Sequence, residues 1–219
     1  MAITDPGSVD PGCTESGARR IVHVVDDDAQ YRTALTRLLT AAGFDVRKFA
    51  SSAELLAGVS TEQPGCVVAD LRMPGINGLE LQESFAKSGV VMPFVFLTAY
   101  GDLRSAVSAM QHGAVDFLDK SAPKEELLAA IRRALERDGA ARAANEQQQR
   151  LRQRFAALTQ RENEVLRFVV SGKMNKQIAA ALGIHERTVK LHRQAINAKV
   201  GARSVAQLAT LVRDAQLET

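Results

Sequence analysis

The stretch CVVADLRMPGINGLELQESF, residues 66–85, decides the fold of the first half of the chain. It begins with an apolar run that ends at Asp70, continues through a loop that contains Gly75 and Gly78, and then repeats apolar residues at helical spacing. An uninterrupted apolar run is typical of a strand that is buried on both faces, and the later spacing is typical of an amphipathic helix. The stretch therefore predicts a buried strand, a glycine-containing loop and a helix.

The same order of strand and helix recurs along residues 21–135. A helical pattern follows each apolar run, and Ser51 with Glu54 forms the sequence signature of a capping box before the second helix. Apolar runs predict five strands, at residues 21–25, 46–49, 66–69, 93–97 and 115–118. Alternating strands and helices imply a parallel sheet that is covered on both faces. We therefore expect an α/β fold, a flavodoxin-like doubly wound five-stranded parallel sheet with strand order 2-1-3-4-5.

Polar side chains end or follow four of the predicted strands. Asp26 and Asp27 follow the first strand, Asp70 ends the third, Thr98 ends the fourth and Lys120 follows the fifth. The carboxyl ends of parallel strands emerge at one edge of the sheet, where ligands bind in open α/β sheets. The first strand neighbours the third in the expected order, so the three carboxylates should converge. Because such charges repel one another and the ligands are all oxygens, we expect a hard cation, Mg²⁺, between them.

A magnesium–carboxylate site suits phosphoryl transfer, because the metal neutralises charge on the transferred group while the protein holds the reacting groups in line. Asp70 is the candidate nucleophile, which would carry an aspartyl phosphate. Lys120 would supply positive charge, and Thr98 would supply a hydroxyl donor. Each residue alone also fits an ordinary role, because an Asp after a strand is commonly a turn or cap residue, as Asp28 could be. The joint placement of these residues after different strands favours a functional site.

The composition of the chain changes after Arg137. Residues 1–138 hold 14 Lys and Arg against 19 Asp and Glu, whereas residues 159–219 hold 10 against 5. The basic end fits either a polyanionic partner or an ordinary variation of surface charge, and the charge alone does not decide between the two. We predict four segments: a flexible tail at 1–19, an α/β domain at 20–137, a partly helical linker at 138–157 and an all-α domain at 158–219.

The sequence also limits where the protein works. No apolar run approaches the ~18–20 residues of a membrane helix, and residues 1–20 lack the apolar region of a signal peptide. The two cysteines, Cys13 and Cys66, form neither a disulfide framework nor a metal site. We therefore expect a cytoplasmic protein that has no membrane partner.

Residues 158–219 contain the signature of a helix-turn-helix. Thr159 with Glu162 predicts a capping box at the start of one helix. A short second helix ends in a turn at Gly183, and a third helix follows at residues 186–200. The spacing predicts that one face of the third helix is packed, with Val189, His192, Ile196 and Val200.

The opposite face of the third helix is suited to DNA. Arg187, Lys190, Leu191 and Gln194 share this face, where they could bond to base edges and touch thymine methyl groups. Nearby cationic side chains could contact phosphates, namely those of Lys176, Arg193 and Lys199. The alternative is an ordinary solvated face. With Thr188, which lies on the same helix, the predicted DNA-binding residues are Lys176, Arg187, Thr188, Lys190, Leu191, Arg193 and Gln194.

Four segments in the first half resemble a receiver domain of two-component signalling: VVDDDA (24–29), VVADLRMPGINGLEL (67–81), FLTAYGD (96–102) and AVDFLDK (114–120). The resemblance implies that Asp70 accepts a phosphoryl group from a sensor histidine kinase. It also implies that Asp26 and Asp27 hold Mg²⁺ together with Asp70 and the backbone carbonyl of Arg72. Thr98 and Phe117 resemble the switch pair of that family.

Two positions depart from the receiver pattern. Ser121 stands where the family usually has proline after its lysine, often with a cis peptide bond. Because a cis bond before a residue other than proline costs ~2.5–4 kcal/mol, we expect either a trans bond or some strain there. Tyr100 is bulky for a position that influences access to the phosphate.

The segments LTQRENEVLRFVVSG, NKQIAAALGI, RTVKLHRQAINAKV and RSVAQLATLV within residues 158–213 resemble the four-helix DNA-binding domain of the LuxR type. With the receiver, they resemble a NarL/FixJ-type regulator of the FixJ-like branch. The resemblance implies that the third helix enters the major groove of double-stranded promoter DNA. It also implies that the last helix, Ser204–Val212, can pair two domains, and that RNA polymerase is a further partner. His185 departs from the family's serine and is a poor N-cap.

Our leading hypothesis is a transcriptional regulator that is controlled by phosphorylation, dimerises on DNA or on phosphorylation, and catalyses only its own phosphoryl transfer and dephosphorylation. A phosphatase of the haloacid-dehalogenase kind is an alternative, because Asp26 and Asp28 have the right spacing. In that case Gln30 stands where a Thr or Val is usual, and Asp70 and the DNA-binding motifs go unexplained. A third hypothesis is a DNA-binding protein whose receiver only dimerises; the complete acidic site argues against it, whereas Ser121 leaves it open.

Overall fold

A computed structural model describes residues 20–60, 63–99 and 103–216, with only the backbone at residue 103. The predicted tail, residues 1–19, and Tyr100 lie outside this part of the chain. The chain divides into two compact units, and the division falls after Ala140. None of the described helices is long and apolar enough to cross a membrane.

The first unit contains a parallel five-stranded sheet with the order β2-β1-β3-β4-β5. Its elements are β1 Ile21–Val25, α1 Ala29–Ala41, β2 Asp45–Phe49, α2 Ser52–Gly58, β3 Gly65–Asp70, α3 Gly78–Lys87, β4 Phe94–Thr98, α4 Leu103–Gln111, β5 Asp116–Asp119 and the first turns of α5 Lys124–Ala156. The expected fold and strand order are therefore confirmed. Predicted strand ends differ by about one residue, as β4 begins after Pro93 and ends with Thr98.

Two apolar cores cover the two faces of this sheet. Val22 and Val24 of β1 belong to one core, which includes Ile131 of α5. Val25 belongs to the other, which includes Leu81 of α3. Alternate residues of one strand thus enter opposite cores, and β1, β3 and β4 are buried along their whole length. Burial on both faces explains why these strands are continuous apolar runs in the sequence.

Helix starts in the first unit only partly follow the predicted caps. Asp28 caps α1 by accepting hydrogen bonds from the backbone N–H groups of Gln30 and Tyr31. Ser51 caps α2 by accepting from the N–H of Glu54. The Glu54 carboxylate accepts from the N–H of Ala50 instead of returning to Ser51, so the reciprocal bond of the predicted capping box is displaced by one residue.

The second unit is helical throughout its described part. It contains the last turns of α5, then α6 Gln160–Val170, α7 Asn175–Leu182, α8 Glu186–Val200 and α9 Val205–Asp214. The predicted Thr159–Glu162 capping box is present, with both reciprocal hydrogen bonds. Gly183 has a φ of 64°, the left-handed conformation that lets the chain turn tightly between α7 and α8.

The end of α5 belongs to the core of the second unit. Leu151 and Phe155 are buried there, and the guanidinium of Arg152 donates to the carbonyl of Ala215 at 3.0 Å. Leu151 and Phe155 lie about one turn apart, and these two apolar side chains are enough to dock this end of the helix. Docking therefore needs no broad apolar face between residues 138 and 157, and the sequence shows none. The predicted domain limits themselves stay a prediction.

His23 is an unusual member of the first unit's interior. It lies in β1 and is fully buried, and neither ring nitrogen has a hydrogen-bond partner among the residues that the structure describes. Burial, with the charge of Arg47 as a smaller cause, lowers the pKa of His23 from 6.5 to about 4. The folded unit therefore holds this imidazole neutral in conditions where the unfolded chain would protonate it.

The protonation of His23 should make the first unit less stable in acid. The unfolded chain takes up a proton here as the pH falls below about 6.5, whereas the folded unit does so only near pH 4. The stability that the neutral His23 contributes is complete above about pH 6.5. The free energy of unfolding then falls by about 3 kcal/mol as the pH falls from about 6.5 to about 4. The variant His23→Leu should therefore lose less free energy of unfolding over this range than the wild type.

Tyrosine fluorescence during urea unfolding can measure this effect, because both tyrosines, Tyr31 and Tyr100, lie in the first half of the chain. The exposed His112 provides a matched control, and His112→Leu should keep the wild-type pH dependence. An identical pH dependence in His23→Leu and the wild type would contradict the assignment.

Candidate functional site

The acidic residues converge because of the strand register. In β1, Val25 pairs with Ala69 of β3, so the residues that follow in each strand, Asp26 and Asp70, emerge side by side. The carboxylate oxygens of Asp26, Asp27 and Asp70 include a set that lies within 4.8 Å of one another. The sheet thus brings together the three carboxylates that sequence reasoning grouped.

Lys120 joins this cluster from the end of β5. Its Nζ lies 2.7 Å from Oδ2 of Asp26 and 2.7 Å from Oδ2 of Asp70. The three side chains are 16%, 3% and 10% exposed, respectively. A cation with so little exposure would be costly to bury without its two acidic partners.

Backbone groups fix the other oxygen of each buried carboxylate. Oδ1 of Asp26 accepts from the N–H of Asp28 at 2.9 Å, and Oδ1 of Asp70 accepts from the N–H of Arg72 at 3.1 Å. Gly78, at the start of α3, holds the loop close, since a Cβ there would lie 2.6 Å from the carbonyl oxygen of Asp70. The arrangement presents Asp70 with its carboxylate already oriented.

The charges of the cluster alter one another's protonation. Burial raises the pKa of Asp26, and hydrogen bonds from Lys120 and from the backbone of Asp28 oppose this effect. Burial acts to lower the pKa of Lys120, but its hydrogen bonds with Asp26 and Asp70 outweigh burial and raise that pKa. Lys120 is therefore held in its charged form between the two acids.

The donor set fits a hard divalent cation. Asp26, Asp27 and Asp70 offer oxygen ligands only, which is the chemistry that Mg²⁺ prefers. Asp27 is exposed while its two partners are buried, so a cation could enter from solvent. Asp28 is not part of this cluster, because its carboxylate caps α1; the Asp26–Asp28 pair of the phosphatase hypothesis is therefore not formed.

Two more residues predicted for the receiver site lie on β4 and β5. Thr98 is buried at the end of β4, and its carbonyl accepts from the N–H of Lys120 at 2.8 Å. Phe117 is half-buried against the core on the α3 side of the sheet. A cavity of about 510 Å³ opens beside the site and is lined by Asp27, Leu71, Arg72, Met73, Pro74, Asn77, Leu79 and Ser105. The carbonyl of Arg72 as a metal ligand stays a prediction.

The loop after Lys120 is held without proline. No described peptide bond is cis, so the Lys120–Ser121 bond is trans, one of the two outcomes expected for serine. The N–H and the hydroxyl of Ser121 both donate to Oδ1 of Asp119, at 2.7 and 2.5 Å. These bonds lower the pKa of Asp119.

Sequence reasoning missed the contact of Tyr31 with this site. The ring of Tyr31 faces Lys120, whose Nζ lies 4.5 Å from the ring centroid. In the sequence, Tyr31 recurs at helical spacing with Leu35 and Leu39, and this spacing alone indicates an apolar face of α1. The position of Tyr31 one turn after Asp27, on the helix that starts at the site, is the signal that could have indicated the contact.

The third helix of the second unit, α8, has the two faces that its spacing predicted. Val189, Ile196 and Val200 are buried, and His192 is half-buried. Arg187, Lys190, Leu191 and Gln194 are all exposed, and Leu191 is 57% exposed despite being apolar. Lys176 is exposed on α7, whereas Thr188 is half-buried.

Two cationic side chains near this face have partners within the unit. Arg193 donates to Oδ1 of Asn175 at 2.8 Å, which ties α8 to the start of α7. Lys199 donates to Oε2 of Glu162 at 2.6 Å and to the carbonyl of Ala157 at 3.2 Å. The proposed phosphate contact of Lys199 therefore competes with a structural ion pair. His185 makes no side-chain cap bond to α8, as expected for histidine at that position.

Both units match known families. Residues 22–132 match the response regulator receiver domain, and residues 156–212 match the luxR family of bacterial regulatory proteins. Nodulation protein W of Bradyrhizobium diazoefficiens is 41% identical over 197 residues, which cover 90% of this chain and 87% of that protein.

The chain is also similar to solved structures of response regulators over most of its length. The response regulator StyR has a TM-score of 0.81 at 45% identity, and the match covers 90% of this chain and 99% of that chain. Full-length FixJ from B. japonicum has a TM-score of 0.54 at 35% identity, and the match covers 93% of this chain and 100% of that chain.

Asp27 and Asp28 are adjacent acids with different environments, and they provide a matched test of the cation site. Asp27→Asn should weaken Mg²⁺ binding at least about tenfold, because it removes a carboxylate ligand. Asp28→Asn makes the same charge change but should leave the affinity within about twofold, since Asn also caps helices well. Isothermal titration calorimetry measures both. Equal losses in the two variants would contradict the assignment of ligands.

Proposed function

This chain belongs to the NarL/FixJ-type response regulators, which join a receiver domain to a LuxR-type DNA-binding domain, and we propose that Asp70 is its phosphoacceptor. The resemblance seen in the sequence is confirmed, and the protein is a phosphorylation-controlled transcription factor rather than a classical enzyme. The observation that carries the proposal is the position of Lys120, whose ammonium lies between Asp26 and Asp70 at 2.7 Å from each.

The phosphoryl transfer that we propose uses the carboxylate of Asp70 as nucleophile. An oxygen of Asp70 attacks the phosphorus of a phosphohistidine on the sensor kinase, the P–N bond breaks, and its electron pair stays on the imidazole. Lys120 and the hydroxyl of Thr98 stabilise the negative oxygens of the transferred group. Mg²⁺, when bound by Asp26, Asp27, Asp70 and the carbonyl of Arg72, neutralises further charge. Hydrolysis of the aspartyl phosphate at the same site would return the protein to its resting state.

Thr98 and Phe117 are the proposed switch. Thr98 ends β4, and Phe117 lies in the neighbouring strand β5. The register partner of Phe117 in β4 is Phe96. A phosphoryl group on Asp70 would draw the hydroxyl of Thr98 towards it, and the half-buried ring of Phe117 could then turn inward. Such a change shifts the population between two states, so its effect depends on the difference in their stability.

DNA binding is assigned to the exposed face of α8. Lys190, Arg187 and Gln194 offer hydrogen-bond donors to base edges, and Leu191 offers an apolar surface to thymine methyl groups. Lys176 and Arg193 would contact phosphates, and Thr188 completes the predicted set. The net positive charge of residues 159–219 supports this role.

The receiver and LuxR-type domains imply a sensor kinase and DNA as partners. We propose further that the kinase is a histidine kinase, that α9 pairs two copies on DNA or after phosphorylation, and that RNA polymerase is contacted at promoters. The cytoplasm, where both DNA and kinase act, is the proposed location. The proposed domains are residues 20–137 and 158–219, joined by residues 138–157.

Phosphorylation of Asp70 can be tested with acetyl phosphate and Mg²⁺. Intact-mass measurement should show one added phosphoryl group on the wild type and none on Asp70→Asn. Asp45→Asn removes an exposed acid at the opposite end of the sheet, and this control should be labelled like the wild type. Equal labelling of Asp70→Asn and the wild type would overturn the assignment of the acceptor.

The two kinds of DNA contact should respond differently to mutation. Lys176→Ala should weaken binding to all sequences and reduce the salt slope by about 1, because one phosphate contact is lost. Leu191→Ala should leave the salt slope unchanged and reduce the preference for thymine at one position by about 1 kcal/mol. Fluorescence anisotropy over a salt series, with DNA enriched from a random pool, measures both quantities.

Lys87→Ala provides the control for this experiment. Lys87 is an exposed cation on α3 in the first unit, so its loss changes the net charge by the same amount as Lys176→Ala. It should leave the salt slope unchanged. If Lys87→Ala reduces the slope as much as Lys176→Ala does, the assignment of the phosphate contact is wrong.

A further inference from the structure

We infer that Tyr31 is a positioning residue that holds the ammonium of Lys120 beside the acceptor carboxylate, an inference that rests on the proposed phosphoryl transfer to Asp70. Tyr31 lies in the first turn of α1, three residues after Asp28, which is the last of the acidic residues that follow β1. It contacts both the ammonium of Lys120 and the backbone carbonyl of Lys120. Tyr31 is not one of the metal ligands proposed above.

The first contact is with the charge of Lys120. Nζ of Lys120 lies 4.5 Å from the centroid of the Tyr31 ring, within the range of a cation–π interaction. The same nitrogen lies 2.7 Å from Oδ2 of Asp70. The ring and the two carboxylates therefore surround one ammonium group, and the ring is the neutral part of that environment.

The second contact is with the backbone of the loop. The hydroxyl of Tyr31 donates to the carbonyl oxygen of Lys120 at 3.4 Å, a long hydrogen bond. On the other side of this peptide, Ser121 is bound to the carboxylate of Asp119. Because the cation–π contact involves the charge itself and the hydrogen bond is long, we expect the ring to matter more than the hydroxyl.

The orientation of the Lys120 side chain should affect the rate of phosphoryl transfer to Asp70. A lysine side chain is a flexible four-carbon stem that carries a point charge, so the charge helps transfer only when it is held near the reacting oxygens. Its nitrogen already lies within hydrogen-bond distance of Asp70. A phosphoryl group on that carboxylate would arrive beside the ammonium while the ring stays against it.

Tyr31 also packs against the core on its side of the sheet, so an ordinary structural role must be separated from positioning. Three variants do this. Tyr31→Phe keeps the ring and loses the hydroxyl, whereas Tyr31→Leu and Tyr31→Met keep an apolar side chain and lose the ring. Thermal unfolding of each variant identifies those that are folded, and Met provides a flexible second choice if Leu is not.

The first readout is the rate of labelling by acetyl phosphate with Mg²⁺, followed by the first-order loss of the label. Both rates should fall about three- to tenfold in Tyr31→Leu and Tyr31→Met and stay within about twofold of the wild type in Tyr31→Phe. Rescue by phenylalanine is a result that a lost hydrogen bond would not give, and unchanged thermal unfolding of the slower Leu or Met variant distinguishes lost positioning from lost packing. Wild-type rates in the folded Leu or Met variant, or equal slowing in Phe, would overturn the inference.

The second readout is the NMR shift of the Lys120 methylene groups next to Nζ. The Tyr31 ring should move these signals upfield in the wild type and in Tyr31→Phe, but not in Tyr31→Leu, both with Mg²⁺ alone and with beryllofluoride added. Absence of this upfield shift in the wild type would overturn the contact. If the wild type shows the shift but Asp70 is never labelled, the proposed function fails while the contact stands, so the two failures are distinguishable.

Discussion

The ion pair of Lys120 with Asp26 and Asp70 is the interaction on which the receiver site depends. Two buried carboxylates lie side by side because β1 and β3 are neighbours, and their repulsion needs a cation. A buried pair of this kind adds little net stability, because desolvation offsets most of the attraction. Its value here is positional: the ammonium is already beside the carboxylate that would receive the phosphoryl group. The hydrogen bond from the backbone of Lys120 to Thr98 links the same residue to the end of β4.

Much of this site could be predicted from the sequence, because parallel strands bring their carboxyl ends to one edge. The strand order alone placed Asp26 next to Asp70. Helical spacing places Tyr31 near the site, one turn after Asp27, but its contact with Lys120 also depends on the direction of one side chain and on the path of the loop after β5, which the spacing does not give. The burial of His23 without hydrogen-bond partners among the described residues could not be predicted either, because one histidine within an apolar run does not change the strand pattern.

In the second unit, too, the sequence pattern predicts burial within a helix but not the contacts between helices. The spacing of α8 predicted which residues are buried and which are exposed, because helical periodicity decides this directly. The partner of Lys199 could not be predicted. Glu162 completes the capping box of α6 and also accepts from Lys199, which in turn donates to the carbonyl of Ala157. The side chain therefore joins the start of α6 to the end of α8, which a pattern within one helix cannot show.

The most direct test of the account is the effect of the phosphoryl group on DNA affinity. Wild type and Asp70→Asn would each be treated with beryllofluoride and Mg²⁺, and their affinity for one DNA fragment enriched from a random pool would be compared with that of the untreated proteins at fixed salt. Treatment should tighten DNA binding by the wild type and leave DNA binding by Asp70→Asn unchanged. Unchanged binding of the treated wild type, with occupancy of Asp70 verified by ¹⁹F NMR, would contradict control of DNA binding through this site.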